Sequence, residues 1–223
     1  MELEIATYAK FEPATTKPPR LAPLTRAAHW FCRAVTPLGY EVETRGLENL
    51  PEGAAIIAPN HVCYADALFV MRAAGRPVRF VMDRTIFSHP LLKTFCSWLK
   101  VIPVSDGDRR NSISAFVRTS REALANRETV CIFPEGMVTR DGKLNEFRRG
   151  ITMLAQGSDA PIIPTRISGA WGSALSYAHG PLLTRLPSLF RRKITVTFGN
   201  PLPANSAPSV IRDAVESLPS CSR

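Results

Sequence analysis

Asn60-His61-Val62-Cys63-Tyr64-Ala65-Asp66 sets an imidazole and a carboxylate five positions apart, directly after the apolar run 54–58. An imidazole titrates near neutral pH, so His61 can take a proton from a hydroxyl. A carboxylate within reach of its other nitrogen fixes the tautomer and stabilises the imidazolium that forms. By itself such a pair is more often structural, and it acquires meaning from what else the chain places beside it. Cys63 is a nucleophile by type, but its apolar setting reads as a small buried hydrophobe.

Other groups suit the same chemistry. Arg109 and Arg110, and further on Arg140, Lys143, Arg148 and Arg149, can hold phosphate. Phe133-Pro134-Glu135-Gly136 makes a rigid strand exit, and its glycine lets the backbone approach a substrate closely. The stretch 86–99 adds an apolar, aromatic surface with Ile86, Phe87, Phe95 and Trp98. A base for a hydroxyl, a site for an anion and a place for an alkyl chain together suggest acyl transfer onto a phosphate-bearing lipid.

The elements that must position these groups follow from periodicity. Strands are expected over 40–45, 54–58, 78–82, 101–104, 129–133, 161–167 and 194–198. Pro161 and Pro164 argue that the sixth is shorter than it looks. Helices are expected over 67–74, closed by Gly75, and over 111–125, 150–156 and 206–218, with a strongly apolar amphipathic segment over 86–100. Strand and helix alternate from 54 to 167, which predicts an α/β fold with a mostly parallel central sheet flanked by helices. Functional groups in such folds gather at the carboxyl ends of strands. His61 follows one strand, Arg109 and Arg110 another, and Glu135 a third.

The chain divides into a proline-rich flexible arm (1–23), a short amphipathic helix with a lead-in strand (24–45), an α/β domain (46–205) and a closing helix with its tail (206–223). The first helix ends at Pro37 and Gly39 and carries the stripe Leu24, Ala27, Ala28, Phe31, Val35. Such a basic, aromatic helix can lie in a membrane interface or dock on the core, and both readings stay open.

The 223 residues, 45% of them hydrophobic, suffice for one domain with a sizeable core. The net charge of +9 favours anionic partners. Nucleic acid fits poorly, because no basic stripe interleaved with aromatics and no glycine-rich phosphate loop is present. A serine hydrolase fits poorly too, for want of a Gly-x-Ser-x-Gly elbow. Cys32, Cys63, Cys96, Cys131 and Cys221 stand singly, which argues against a zinc site or disulfide framework and for a reducing compartment. No secretory signal pattern and no apolar run of membrane-spanning length is seen. The mean hydropathy of −0.03 agrees with a soluble or membrane-surface protein. His29, His89 and His179 have no partner pattern and read as structural. Arg191-Arg192-Lys193 reads as a solvated loop or as a contact for anionic lipid.

In order and spacing, Asn60-His61-x4-Asp66, Phe133-Pro134-Glu135-Gly136, Phe147-Arg148-Arg149-Gly150 and Pro161-Ile162-Ile163-Pro164 resemble the four blocks of the glycerophospholipid acyltransferase family. Its best-known members are the 1-acyl-glycerol-3-phosphate acyltransferases, and the resemblance covers roughly 45–200. It implies that 46–205 is an acyltransferase domain at the cytoplasmic face of a membrane, peripherally bound. His61 would deprotonate the hydroxyl of a lysophospholipid, lysophosphatidic acid or another, and Asp66 would orient His61. The acyl donor would be a thioester of coenzyme A or acyl carrier protein, as co-substrate, with no further cofactor, no metal and no covalent acyl-enzyme. Asn60, Arg109, Arg110, Glu135, Gly136, Arg140, Arg149 and Pro164 would bind or position substrate.

Two positions depart from the family pattern. Many members carry arginine two residues after the Phe-Pro-Glu-Gly glycine, where this chain has Val138. Many also carry arginine soon after the strand of the middle block, where Ser105-Asp106-Gly107-Asp108 precedes Arg109 and Arg110. Both family arginines serve the acceptor phosphate. The departures imply a larger head group, such as that of 2-acyl-glycerophosphoethanolamine, or a phosphate reached from a shifted position by Arg109, Arg110 or Arg140.

Overall fold

A computed structural model describes residues 22–104, 109–178 and 192–220, apart from the side chains of 91, 92 and 109–111. Residues 1–21 of the expected arm, the loop 105–108, His179 and Arg191 therefore lie outside the described residues. In chain order the elements are α1 (Pro23–Gly39), β1 (Tyr40–Arg45), a 3-10 turn (Leu47–Asn49), β2 (Ala55–Pro59), α2 (Asp66–Ala74), β3 (Val78–Asp83), α3 (Arg84–Phe87), α4 (Pro90–Trp98) and β4 (Ile102–Val104). They continue with α5 (Arg109–Ala125), β5 (Thr129–Cys131), α6 (Gly150–Ala155), β6 (Ile162–Ser168), β7 (Arg192–Phe198) and α7 (Pro208–Ser217).

The strands form one sheet in the order β1-β7-β6-β2-β5-β3-β4. From β6 to β4 every pairing is parallel. β7 runs antiparallel to β6, and β1 runs parallel to β7. The sheet is thus mostly parallel, as the alternation of elements predicts. β2 lies at its centre with all five residues buried, which is why its sequence is a continuous apolar run. Successive side chains point to opposite faces. Ile57 joins Phe69, Phe80 and Phe198 on the side covered by α1, α2 and α4. Ile56 joins Phe116, Ile151 and Ile211 on the side covered by α5, α6 and α7.

Three local expectations are revised. The amphipathic segment over 86–100 resolves into two helices, because Pro90 has no N–H to continue a helix through it. Asp83 caps the first of them, accepting from the Thr85 N–H at 2.7 Å. The strand expected to be shortened by its prolines is seven residues long, with Pro164 inside it. The Pro164 carbonyl accepts from the Gly199 N–H at 2.7 Å. A residue's N and O point to the same side of a strand, so the missing N–H faces the end of β7 and costs no ladder bond there.

The third revision concerns α1. Pro37 lies within its last turn instead of ending it. The helix turns Thr25, Ala28, His29, Cys32 and Thr36 inward, while Leu24, Phe31, Trp30 (72% exposed) and Leu38 (78% exposed) face outward. Of the expected apolar stripe only Ala28 is buried. Small and short side chains let α1 approach α2 closely, and the polar members of that face find partners inside. Thr36 Oγ1 donates to the Cys32 carbonyl at 2.7 Å, and His29 Nδ1 lies 3.3 Å from Met71 Sδ.

Burial, with Arg33 as a secondary cause, holds His29 down at a pKa of about 4 against its usual 6.5. The unfolded chain therefore takes up the proton first. This contribution to stability is complete above pH 6.5 and is lost as pH falls toward 4, by at most about 3 kcal/mol. Thermal unfolding of the wild type and of His29→Leu between pH 7.5 and 4.5 should show a smaller acid-induced drop in the variant; equal drops would contradict this account.

Candidate active site

The turn between β2 and α2 leaves the sheet at the carboxyl end of the central strand. Its first residue is pinned by a side chain acting as backbone. Asn60 Nδ2 donates to the Ile167 carbonyl at 3.1 Å, and the Ile167 N–H donates to Asn60 Oδ1 at 2.7 Å. Asn60, expected at the substrate, is thus a buried tie between β2 and β6.

Asp66 opens α2 but does not cap it. Its carboxylate folds back over the turn and is fully buried, at 0% exposure. Oδ2 accepts from His61 Nδ1 at 2.8 Å and from the Val62 and Cys63 N–H groups at 2.6 and 2.9 Å. Oδ1 accepts from the Cys63 thiol at 3.2 Å. A carboxylate on Nδ1 places the ring proton there and leaves the Nε2 lone pair as the basic site. The imidazole stacks on Phe133 with ring centres 4.1 Å apart. Burial and Asp66 push the Cys63 thiol far up, so it stays protonated and is not a nucleophile.

The exit of β5 holds His61 from the other side. Glu135 is 2% exposed, and both its oxygens are engaged. Oε1 accepts from the His61 N–H at 2.6 Å; Oε2 accepts from Asn145 N and Nδ2 at 2.9 and 2.8 Å. The Thr139 N–H donates to the His61 carbonyl at 2.8 Å. Desolvation raises the Glu135 pKa, and these N–H groups oppose the rise. Expected to meet substrate, Glu135 meets the backbone of His61 instead. Gly136 adopts φ +71°, which favours glycine, and a Cβ there would fall 2.9 Å from Arg148 Nε, so the arginine side chain would have to shift.

His61 opens on a cavity of about 610 Å³. Its lining includes Tyr64, Gly136, Arg140, Arg148 and Tyr177 together with the apolar Met82, Val104, Phe116, Ile132 and Ile151. The Tyr64 and Tyr177 hydroxyls are 2.8 Å apart, and the Arg140 guanidinium lies 5.9 Å from the Tyr177 ring centre. Of the expected phosphate ligands, Arg140 lines the cavity. Arg149 is exposed just before α6 and does not; its neighbour Arg148 does. Pro164 is buried within the sheet. Arg109 and Arg110 open α5, with side chains outside the described residues. Among the described residues no three His, Cys, Asp or Glu side chains gather as a metal ion would require. No helix among them is long and apolar enough to cross a membrane.

Tyr177, Asn145 and the part played by Tyr64 are not among the residues marked by sequence pattern. Tyr64 sits inside the reactive motif, where its position was the available signal. Asn145 and Tyr177 lie in irregular segments without a spacing that marks them.

Replacing Glu135 by Gln would set an amide N–H₂ against either the His61 N–H or the Asn145 donors. Glu135→Gln should therefore lower unfolding stability by about 2 kcal/mol, read as a lower urea midpoint at unchanged slope. An unchanged midpoint would show that these bonds do not hold the turn.

The family described as Acyltransferase matches residues 41–168, more than half of the chain. The 1-acyl-sn-glycerol-3-phosphate acyltransferase of Pseudomonas aeruginosa is 30% identical over 139 residues, covering 62% of this chain and 53% of that protein. A chloroplastic 1-acyl-sn-glycerol-3-phosphate acyltransferase of Arabidopsis thaliana is 28% identical over 142 residues, covering 63% and 39%. The chain thus spans between two fifths and about half the length of these relatives. The crystal structure of the 1-acyl-sn-glycerophosphate acyltransferase PlsC of Thermotoga maritima shares the fold, with a TM-score of 0.65 at 20% identity over 86% of this chain and 75% of that one. The matched residues contain both the His61–Asp66 turn and the Glu135 exit that grips it, and the chain belongs to the acyltransferase family.

Proposed function

We propose that the protein moves a fatty acyl group from a thioester of coenzyme A or acyl carrier protein to the free hydroxyl of a lysophospholipid, with lysophosphatidic acid as the leading acceptor. The observation that carries this reading is His61, held by Asp66, on the lining of a largely apolar cavity. His61 Nε2 takes the hydroxyl proton as the acceptor oxygen attacks the thioester carbonyl. The tetrahedral intermediate collapses with loss of the thiolate, which recovers that proton from His61. The imidazolium between these steps is stabilised by Asp66. The cavity takes the alkyl chain, and the acceptor phosphate meets Arg140 and Arg148 at its opening. The names of the Pseudomonas and Arabidopsis relatives support lysophosphatidic acid as acceptor.

A second acceptor reading has its own observation. Val138 lines the cavity as a buried apolar residue, and the arginine nearest in sequence packs over Tyr177. With Arg140 stacked on a phenol and no arginine at position 138, the lining suits the single charge of a phosphodiester, as in 2-acyl-glycerophosphoethanolamine.

The same reading includes peripheral attachment to the cytoplasmic face of a membrane. Leu24, Trp30, Phe31 and Leu38 form an outward apolar face on α1. Phe31 meets Phe95 of α4 edge-on at 6.1 Å, which joins this face to the exposed Trp98. Aromatic residues in that arrangement suit the interfacial layer of a bilayer.

Both acceptors should be offered with acyl-CoA and with acyl carrier protein thioesters. Turnover is expected with at least one pair, and His61→Ala should lower kcat by ~10²–10⁴. Arg140→Ala should raise KM for the acceptor about tenfold and leave that for the donor unchanged. Silence with every pair would refute acyl transfer. Independently, the double variant Trp30→Ser, Phe31→Ser should bind anionic phosphatidylglycerol vesicles at least about tenfold more weakly. Equal binding would place the attachment elsewhere.

A further inference from the structure

Asp66 carries its charge at 0% exposure, so every hydrogen bond it receives must come from the protein. Three of its four donors converge on Oδ2: His61 Nδ1 and the N–H groups of Val62 and Cys63. Among the described residues, the single donor to Oδ1 is the Cys63 thiol at 3.2 Å, within the range of a hydrogen bond that involves sulfur. Cys63 therefore holds both oxygens of one carboxylate, Oδ2 through its backbone and Oδ1 through its side chain. Two contacts from one rigid turn fix the tilt of the carboxylate plane, which the three bonds on Oδ2 leave free to pivot. That tilt decides how the Oδ2 lone pair meets His61 Nδ1.

We propose that Cys63 is a positioning residue for acyl transfer, its thiol on Asp66 Oδ1 orienting the carboxylate that orients His61. The inference rests on the acyl-transfer reading above. A simple space-filling role does not account for the geometry, since the sulfur is directed at a carboxylate oxygen. A nucleophilic role does not account for it either, because the thiol is fully buried and keeps its proton beside an anion.

Losing one donor makes the carboxylate a stronger base, and it then holds the imidazolium more tightly. The acid limb of kcat/KM must shift to higher pH. Other titratable groups face the pair. Cys131 of β5 and Tyr40 of β1 sense Asp66, and burial raises both, so they stay protonated through the neutral range. Glu135 faces His61 from the β5 exit, and its contribution is common to every Cys63 variant. Tyr40 in turn senses Arg192, which all variants also share.

The test compares Cys63→Ala and Cys63→Ser with the wild type, on whichever acceptor and donor the wild type uses. Cys63→Ala should lose roughly tenfold in kcat with little change in KM, and its acid limb should rise by about half a unit. Cys63→Ser keeps an O–H donor and should recover turnover to within about threefold, with the acid limb restored. The Nδ1–H resonance of His61, followed by proton NMR, should move downfield in Cys63→Ala, as the more basic carboxylate draws that proton, and return in Cys63→Ser. Wild-type kcat and pH profile in Cys63→Ala would overturn the proposal. So would a Cys63→Ser protein as impaired as Cys63→Ala, or an acyl thioester found on Cys63 by mass spectrometry. Should Cys63→Ala fail to fold, the Cys63→Ser profile and resonance decide alone: retention supports the proposal and loss overturns it. The NMR arm needs no turnover, so a protein inactive on every acceptor would refute acyl transfer while the Cys63 contact was still tested.

Discussion

One buried negative charge constrains the reactive end of this protein. Asp66 has no water to lean on and must collect its donors from the chain. Those donors are the imidazole, two backbone N–H groups and a thiol, all within five residues of it. The turn between β2 and α2 can satisfy Asp66 only by curling around it, and that curl presents His61 to the cavity. A second buried carboxylate, Glu135, completes the constraint from the neighbouring strand by gripping the His61 backbone. The imidazole is thus set by two anions, one on its ring and one on its main chain. Both are buried, and each of their four oxygens accepts at least one hydrogen bond from the chain.

The central sheet was legible because its strands obey simple rules. The run at 54–58 is apolar throughout and that at 129–133 is apolar after Thr129, as suits strands covered on both faces, and they pair side by side as β2 and β5. Pro164 misled because proline is costly only where a ladder bond is expected, and the end of β7 is a property of the whole sheet. The face of α1 misled for a related reason. Hydrophobic spacing locates an apolar stripe but not the surface that covers it, and here the inward face is made of four small residues and His29.

Within the site, His61 and Asp66 were legible as a pair because their separation is local and their chemistry complementary. Glu135 was legible as a participant, but its target was not. A glutamate at a strand exit can point at a ligand or at a neighbouring turn, and the choice depends on the distance between the ends of β2 and β5. Arg148 against Arg149 is a similar case. Two adjacent arginines precede α6, and the first of them packs beside Gly136 and lines the cavity while the second does not.

The tie between Asn60 and Ile167 extends the parallel pairing of β2 and β6 by one rung made from a side chain. In β6 alternate residues turn their N–H and C=O toward β2, and Ile167 is one of them. A slip of one residue would present Asn60 with groups turned to the opposite edge. The carboxamide would then find neither donor nor acceptor, and the turn that carries His61 would lose its footing. Strand alignment and assembly of the reactive loop are therefore checked by the same two hydrogen bonds. A chain that zips its sheet out of step has no route to a working imidazole, so errors of folding are silent in chemistry rather than merely slow.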